Sequence, residues 1–288
     1  MSKIAIITDT NSCISIDEAK KLGIYLLPMP FIINEETYFE GVTMSAEDFY
    51  EKLINDENIS TSQPTPDSVM NIWDEALREA DEVVHIPMSS ALSGAFQTAV
   101  MLSEDYDGKV HVVDAKRISF TMKQTVYDAI TLAKQGFDGA SIKSKLEEDS
   151  KNATIYLTID TLKFLKKGGR LSPVAAALGT ILKIKPILTI LDDKIDSFAK
   201  SRTLSQAKAI MLQATLDDVE KRLGGLGNGN KLAIAVVHNG DENIAREFQT
   251  MVQEAFPDYE ILLDHLSLSI AAHTGPNVVA IACVQKNF

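Results

Sequence analysis

Glu82-Val83-Val84-His85-Ile86-Pro87-Met88-Ser89-Ser90-Ala91-Leu92-Ser93-Gly94 begins as an apolar strand and ends as a serine-rich loop closed by a glycine. A helical pattern over Leu92 to Leu102 follows it. A strand that passes through a polar loop into a helix is the building unit of an open α/β sheet. The same alternation extends outward in both directions. Lys3 to Thr8, Ile24 to Ile33, Val110 to Asp114 and Ala153 to Ile159 read as strands. Ile16 to Leu22, Ser45 to Leu53, Asp67 to Ala80 and Ile118 to Gln135 read as helices. Residues 1–160 are therefore expected to form a mostly parallel open sheet with helices.

From about Thr161 the texture changes. A short helix ends at Lys166-Lys167-Gly168-Gly169-Arg170, a small-residue helix is expected over Pro173 to Leu182, and Lys185 to Leu191 starts a strand. Asp192-Asp193-Lys194 has hairpin-turn composition, which pairs Ile195 to Ala199 antiparallel with that strand. A long helix over Leu204 to Leu223, a Gly-rich connector at Gly224 to Gly229, a strand at Leu232 to His238 and a helix at Glu242 to Ala255 follow. Further strands are expected near Glu260 and over Val278 to Val284. Residues 161–288 are expected to form a second, mixed α+β domain. A chain of 288 residues has room for two such domains.

Hydrophobic residues make up 45% of the chain and charged residues 24%, which is globular composition. The formal net charge of -12 opposes non-specific binding to nucleic acid or anionic surfaces. The first residues, Met1 to Asp9, lack the basic region and small-residue cleavage site of a signal peptide, and no run of 18 apolar residues is present. Cys13 and Cys283 lie at opposite ends, with no spacing that suggests a disulfide framework or a zinc site. A cytoplasmic protein with no cofactor is the expectation.

Three polar loops stand next to apolar elements. Ser60-Thr61-Ser62-Gln63-Pro64-Thr65-Pro66 offers hydroxyls to an anion, although Ser and Thr before Pro also serve as turn and N-cap residues. The loop Pro87 to Gly94 places hydroxyls and backbone N–H groups where a strand ends and a helix begins, a position that favours a carboxylate or phosphate. Simple capping by Ser90 or Ser93 is the alternative there. Lys166 to Pro173 is the densest basic run of an acidic chain, and Arg170 offers a planar fork to an oxyanion. Cations at a helix C-terminus also complement its dipole.

His273, in His273-Thr274-Gly275-Pro276, is a candidate donor to the same anion, with His265 in reserve. No phosphate-binding Gly-x-x-x-x-Gly-Lys-Ser/Thr loop, Gly-x-Gly-x-x-Gly after the first strand, His-Glu-x-x-His or Gly-x-Ser-x-Gly occurs. That disfavours a self-contained nucleotide enzyme or hydrolase. Asp9 in Thr8-Asp9-Thr10 stands at a strand end, where an aspartate is either a nucleophile or, more commonly, the cap of a turn.

Six ordered motifs together resemble the DegV family along the whole chain. They are Ile7-Thr8-Asp9-Thr10, Thr61-Ser62-Gln63-Pro64, Ser89 to Gly94, Leu165 to Arg170, Lys185-Pro186-Ile187-Leu188 and His273-Thr274-Gly275-Pro276. Within that family the chain is similar to the fatty acid-binding subunits of bacterial fatty acid kinase systems. The resemblance implies two α/β domains enclosing one long-chain fatty acid as ligand, with no catalytic residue of the chain's own. It implies that Thr61 and Ser93 hydrogen-bond the carboxylate, that Gly94 adds a backbone N–H, and that His273 and Arg170 complete or gate the polar network. The acyl chain would thread the second domain, where Ala175, Ala176, Ala177 and Gly179 leave room for it or suit close helix packing.

The implied partners are an ATP-dependent kinase subunit, met through Lys166, Lys167, Arg170 and Arg202, and a membrane touched transiently to exchange lipid. The acyl phosphate product would feed phospholipid synthesis. Ala272, Asn277, Asp192-Asp193-Lys194 and Ala91 stand where relatives often carry glycine, and none of these removes an implied ligand contact. A lipid-sensing regulator, and an independent acyl- or phosphoryl-transfer enzyme using Asp9 or His273, are the alternative functions.

Overall fold

A computed structural model describes residues 2–172, 184–191, 194–227 and 231–288. The chain forms two compact units. The first comprises residues up to Phe49, Glu57–Lys151 and Phe288, and the second Tyr50–Asp56 and Asn152–Asn287. The division falls at 151/152 rather than 160/161 because the strand at Ala153–Thr158 pairs with C-terminal strands.

In the first unit, β1 (Ile4–Asp9), β2 (Tyr25–Leu27), β6 (Glu82–Ile86) and β7 (Val110–Val112) make a sheet of order β2-β1-β6-β7. Every pairing in it is parallel, as the strand-loop-helix alternation predicts. β3 (Pro30–Ile33), β4 (Glu36–Phe39) and β5 (Ile59–Thr61) make a separate antiparallel sheet of order β4-β3-β5. The single extended segment expected over Ile24 to Ile33 is thus two strands in two sheets. Pro28 and Pro30 account for the break, since proline donates no ladder hydrogen bond and is confined to strand starts and edges.

Helices α1 (Ile16–Leu22), α2 (Ala46–Ile54), α3 (Pro66–Leu77) and α4 (Ala95–Ser103) lie between these strands in the chain, and α5 (Ser119–Lys134) and α6 (Gly139–Glu148) follow β7. Two starts are fixed by the residues present. Ser15 Oγ accepts from Glu18 N at 3.1 Å, and Thr65 Oγ1 accepts from Ser68 N at 3.2 Å with Pro66 in the first helical position. One apolar cluster, including Ile6, Val84, Ile86, Met122 and Val126, packs on one side of the parallel sheet. A second, including Ile7, Val83, Val112 and Trp73, packs on the other. The alternation of side chains along each strand separates the two.

The second unit holds a six-stranded mixed sheet of order β10-β9-β8-β13-β11-β12. Its strands are β8 (Ala153–Thr158), β9 (Lys185–Leu191), β10 (Lys194–Ser201), β11 (Leu232–His238), β12 (Ile261–His265) and β13 (Val279–Gln285). β9 and β10 pair antiparallel as expected, while their turn at 192–193 lies outside the described residues. The helix expected over Pro173 to Leu182, with Ala175, Ala176, Ala177 and Gly179, also lies outside them, as does part of the Gly224 to Gly229 connector. The helices here are α7 (Lys163–Gly168), α8 (Leu204–Arg222), α9 (Glu242–Ala255) and α10 (Leu268–Thr274).

The sheet has two distinct apolar faces. Tyr156, Ile187, Val236, Val279 and Ile281 join Met211 of α8 and Phe248 of α9 in one core. The alternate residues Leu188, Leu157, Ala280 and Val237 are register partners in one row across β9, β8, β13 and β11, and all are buried.

Candidate functional site

In the first unit the loop after β6 is held from three sides. Met88 N donates to Asp9 Oδ2 at 2.9 Å, Ser89 N to the Arg117 carbonyl at 3.1 Å, and Ser90 Oγ to Asp114 Oδ2 at 2.7 Å. Arg117 is itself fixed: its Nη2 meets Asp149 Oδ2 at 2.9 Å in a buried ion pair, and Nη1 donates to Thr125 Oγ1 at 3.1 Å. Ser90 is therefore committed to Asp114, which leaves Ser93 as the hydroxyl at the helix start. Ser93 Oγ accepts from Ala95 N at 3.2 Å. A serine that accepts with a lone pair keeps its O–H to donate, as a carboxylate ligand requires.

Gly94 is the N-cap of α4 and makes no side-chain cap. The first N–H groups of a helix have no intrahelical acceptor, and the dipole gives that end partial positive charge. Gln63, in the loop after Thr61, covers this turn. Its Nε2 donates to Thr98 Oγ1 at 3.0 Å, and its Oε1 lies 2.8 Å from where a Cβ on Gly94 would stand. The residue at 94 must be small for Gln63 to lie there. The structure thus brings the Thr61 loop and the serine loop together within one unit, with Thr61 the half-buried last residue of β5. Gln63 was legible only as part of the Thr61 motif; its clasp on α4 is long-range and has no local signal.

Asp9 is 2% exposed, and both carboxylate oxygens accept backbone N–H groups, from Asn11 at 2.8 Å and from Met88. It caps the turn Thr10–Ser12, which is the bland reading of an aspartate at a strand end. Burial pushes its carboxyl up to about 6, against the opposing pull of the Met88 and Asn11 N–H bonds.

In the second unit, Arg170, Gly168 and His273 gather at one place. α7 ends at Gly169 with φ +68°, a left-handed cap that glycine adopts without strain. Arg170 Nη1 donates to the Gly168 carbonyl. A Cβ on Gly168 would stand 2.1 Å from His273 Nδ1, so the imidazole lies directly on the glycine. One on Gly275, which has φ +78°, would meet the Phe164 ring at 2.4 Å, so α7 and α10 pack through two glycines. Burial, and secondarily the Arg170 guanidinium, bring His273 down to about 4, so its ring is neutral at physiological pH and offers one N–H.

His273 lies in the last turn of α10, a helix capped by Ser267 Oγ accepting from Ile270 N at 3.4 Å. His265 stands elsewhere in the unit, at the end of β12, its ring 4.4 Å from that of His238. Lys166 and Lys167 are exposed on α7, and Arg202 is exposed between β10 and α8. A cavity of about 270 Å³ opens at the ends of β8 and β11, lined by Ile159, Leu204 and Ile244 with Asp160, Lys185 and Asn277 at its polar side. Asp160 there pairs with Lys185 and accepts from Asn277 Nδ2 at 2.9 Å.

Among the described residues no cluster of three or more His, Cys, Asp or Glu could hold a metal, and no helix is long and apolar enough to cross a membrane.

The family model described as "Uncharacterised protein, DegV family" matches residues 3–286. A DegV domain-containing protein of Clostridium acetobutylicum is 33% identical over 294 residues, covering 99% of this chain and 99% of its own. Among solved structures, a fatty-acid-binding DegV family protein from Thermus thermophilus matches with a TM-score of 0.88 at 26% identity, covering 99% of this chain and 100% of that one. DegV of Bacillus subtilis, a fatty acid binding protein, matches with a TM-score of 0.87 at 28% identity and the same coverage.

Proposed function

We propose, for a chain that belongs to the DegV family, that it binds one long-chain fatty acid and presents the carboxylate to a separate ATP-dependent kinase. The observation that carries this reading is the serine loop, where the Ser93 hydroxyl and the first amides of α4 stand at the end of a parallel strand under the Gln63 clasp. The fatty-acid-binding proteins of T. thermophilus and B. subtilis share this fold over nearly the whole chain. In this reading Thr61, Ser93 and the Gly94 N–H of the first unit hold the carboxylate. A buried carboxylate needs such bonds, because an unpaired buried charge is very costly.

The tail of such a ligand needs a buried apolar surface to lie against. The row Leu188, Leu157, Ala280 and Val237, on the sheet face turned away from α8 and α9, suits that role. Burying about fourteen methylenes at ~0.8 kcal/mol each contributes on the order of 11 kcal/mol before binding costs, so the tail supplies affinity and the loops orientation. The chain carries no phosphate-binding loop, so phosphoryl transfer is assigned to the kinase, met through Lys166, Lys167, Arg170 and Arg202. The acyl phosphate then serves phospholipid synthesis, and the fatty acid is collected by transient contact with a membrane.

Reconstitution tests this. The protein, ATP and a long-chain fatty acid should yield acyl phosphate only when a fatty acid kinase subunit is added, and a Thr61→Ala/Ser93→Ala double variant that still folds should bind the fatty acid at least tenfold more weakly. Turnover by the chain alone would favour an enzyme using Asp9 or His273. Lipid binding with no transfer in the presence of kinase would favour a regulator.

A further inference from the structure

We infer that Asp9 is the positioning residue of the site: its carboxylate latches the serine loop of β6 to the end of β1 and so holds Ser93 and the start of α4 in the receptive arrangement. The inference rests on the proposed carboxylate site. It concerns a residue that makes no bond to the ligand in that proposal.

The geometry is that of a latch. β1 and β6 run parallel in register from Ile4↔Glu82 to Thr8↔Ile86, and their chains then diverge. Asp9 is the last residue of β1, and Met88 lies two residues beyond the end of β6. Oδ2 takes the Met88 N–H at 2.9 Å while Oδ1 takes the Asn11 N–H at 2.8 Å, so one side chain ties both exits. Two further bonds brace it: Ser12 Oγ donates to the Asp9 carbonyl at 2.8 Å, and Thr8 Oγ1 donates to the Ile86 carbonyl at 3.0 Å. From Met88 the loop closes on itself, with Leu92 N and Ser93 N both donating to the Ser89 carbonyl, at 3.0 and 3.2 Å. Ser93 is therefore tied to Met88 through four residues of bonded loop, which the Arg117 carbonyl and Asp114 also hold.

Only an ionised carboxylate offers a strong acceptor oxygen to each of the two N–H groups. An amide or a protonated acid presents one acceptor and one donor, and the donor faces an N–H. Asp9 lies among Thr8, Thr10, Asn11 and Ser12 of its own turn and the Met88 loop, and among the described residues no charged group contributes to its titration. Its proton is therefore governed by burial, which favours the neutral form, against the two latch bonds and the Asn11 side chain, which favour the carboxylate, and the latch opens as pH falls through the range in which Asp9 protonates.

Asp9→Asn, of the same shape, is the test, on the full-length protein. At pH 8 the variant should bind a long-chain fatty acid at least tenfold more weakly. The ligand-free amides of Met88 to Ser93 should exchange hydrogen at least tenfold faster, and Tm should stay within a few degrees. Wild-type affinity should fall more steeply than that of the variant between pH 7 and 5, since the substitution already mimics the protonated latch. Unchanged exchange and affinity would overturn the inference. So would a large drop in Tm with exchange raised throughout the first unit, which would make Asp9 a general structural residue. The exchange readout needs no ligand, so a wild type that binds no fatty acid overturns the proposed function while the exchange result still decides the latch.

Discussion

Gly168 is where the two polar side chains of the second unit meet, and its lack of a side chain is what lets them. Arg170 folds back onto its carbonyl and His273 lies on its Cα. Gly168→Ala would drive a methyl to 2.1 Å from Nδ1. Either the ring leaves its place or α7 shifts, and overpacking of this kind costs about 1–3 kcal/mol. The imidazole reports which. In the wild type, with His273 brought down to about 4 by burial and Arg170, its NMR signals should not titrate between pH 5.5 and 8. In the alanine variant the ring gains solvent and its midpoint should rise toward 6.5. A wild-type His273 that titrates near 6.5 would contradict the packing described. The basic run and the histidine were visible in the sequence as separate motifs. Their meeting was not, because it depends on a long-range contact: Gly168 and Gly275 each lie against a ring of the other helix, which the motifs that contain them do not reveal.

At the scale of elements, β1 and β6 carry two buried titratable groups of opposite effect. His85 in β6 packs edge-on against Trp73 of α3, and among the described residues its ring nitrogens find no hydrogen-bond partner. Burial brings it down to about 3, from an ordinary 6.5. The unfolded chain therefore takes up a proton that the folded one refuses, and this group removes stability as pH falls from about 6.5 to about 3. The slope is about 1.4 kcal/mol per pH unit. Asp9, raised from 3.8 to about 6, acts oppositely: it contributes stability below 3.8 that is lost as pH rises through 6. Between about 6 and 3.8 the two largely offset one another. His85→Leu removes one side of that balance, so the variant should gain about 2 kcal/mol relative to wild type between pH 7.5 and pH 5. Urea unfolding at the two pH values measures it, and an unchanged difference would contradict a neutral buried His85. Element types were largely legible: the helix at 242–255 and the strands at 185–191 and 232–238 have the ends that hydrophobic periodicity assigns. What escaped was pairing. The small β4-β3-β5 sheet is built from strands of three to four residues, too short for an alternation to register, and the proline break at Pro28 and Pro30 was hidden inside one apolar run.

At the scale of the whole molecule, the chain divides into two compact units, with Thr61, Ser93 and Gly94 in the first and Arg170 and His273 in the second. The net charge of -12 sets the protein against non-specific adhesion to nucleic acid or anionic bilayers. The overall α/β organisation was readable because strand and helix periods differ, and the serine loop was readable because its position between strand and helix is itself a chemical statement. The division at 151/152 was not, since it follows from the partners of Ala153–Thr158 rather than from their composition. Whether the protein carries a fatty acid is decided by native mass spectrometry of the purified chain, followed by organic extraction. The account predicts one long-chain fatty acid per chain, recovered by extraction and depleted in the Thr61→Ala/Ser93→Ala variant. A protein that arrives lipid-free and takes up none when a long-chain fatty acid is added would contradict it.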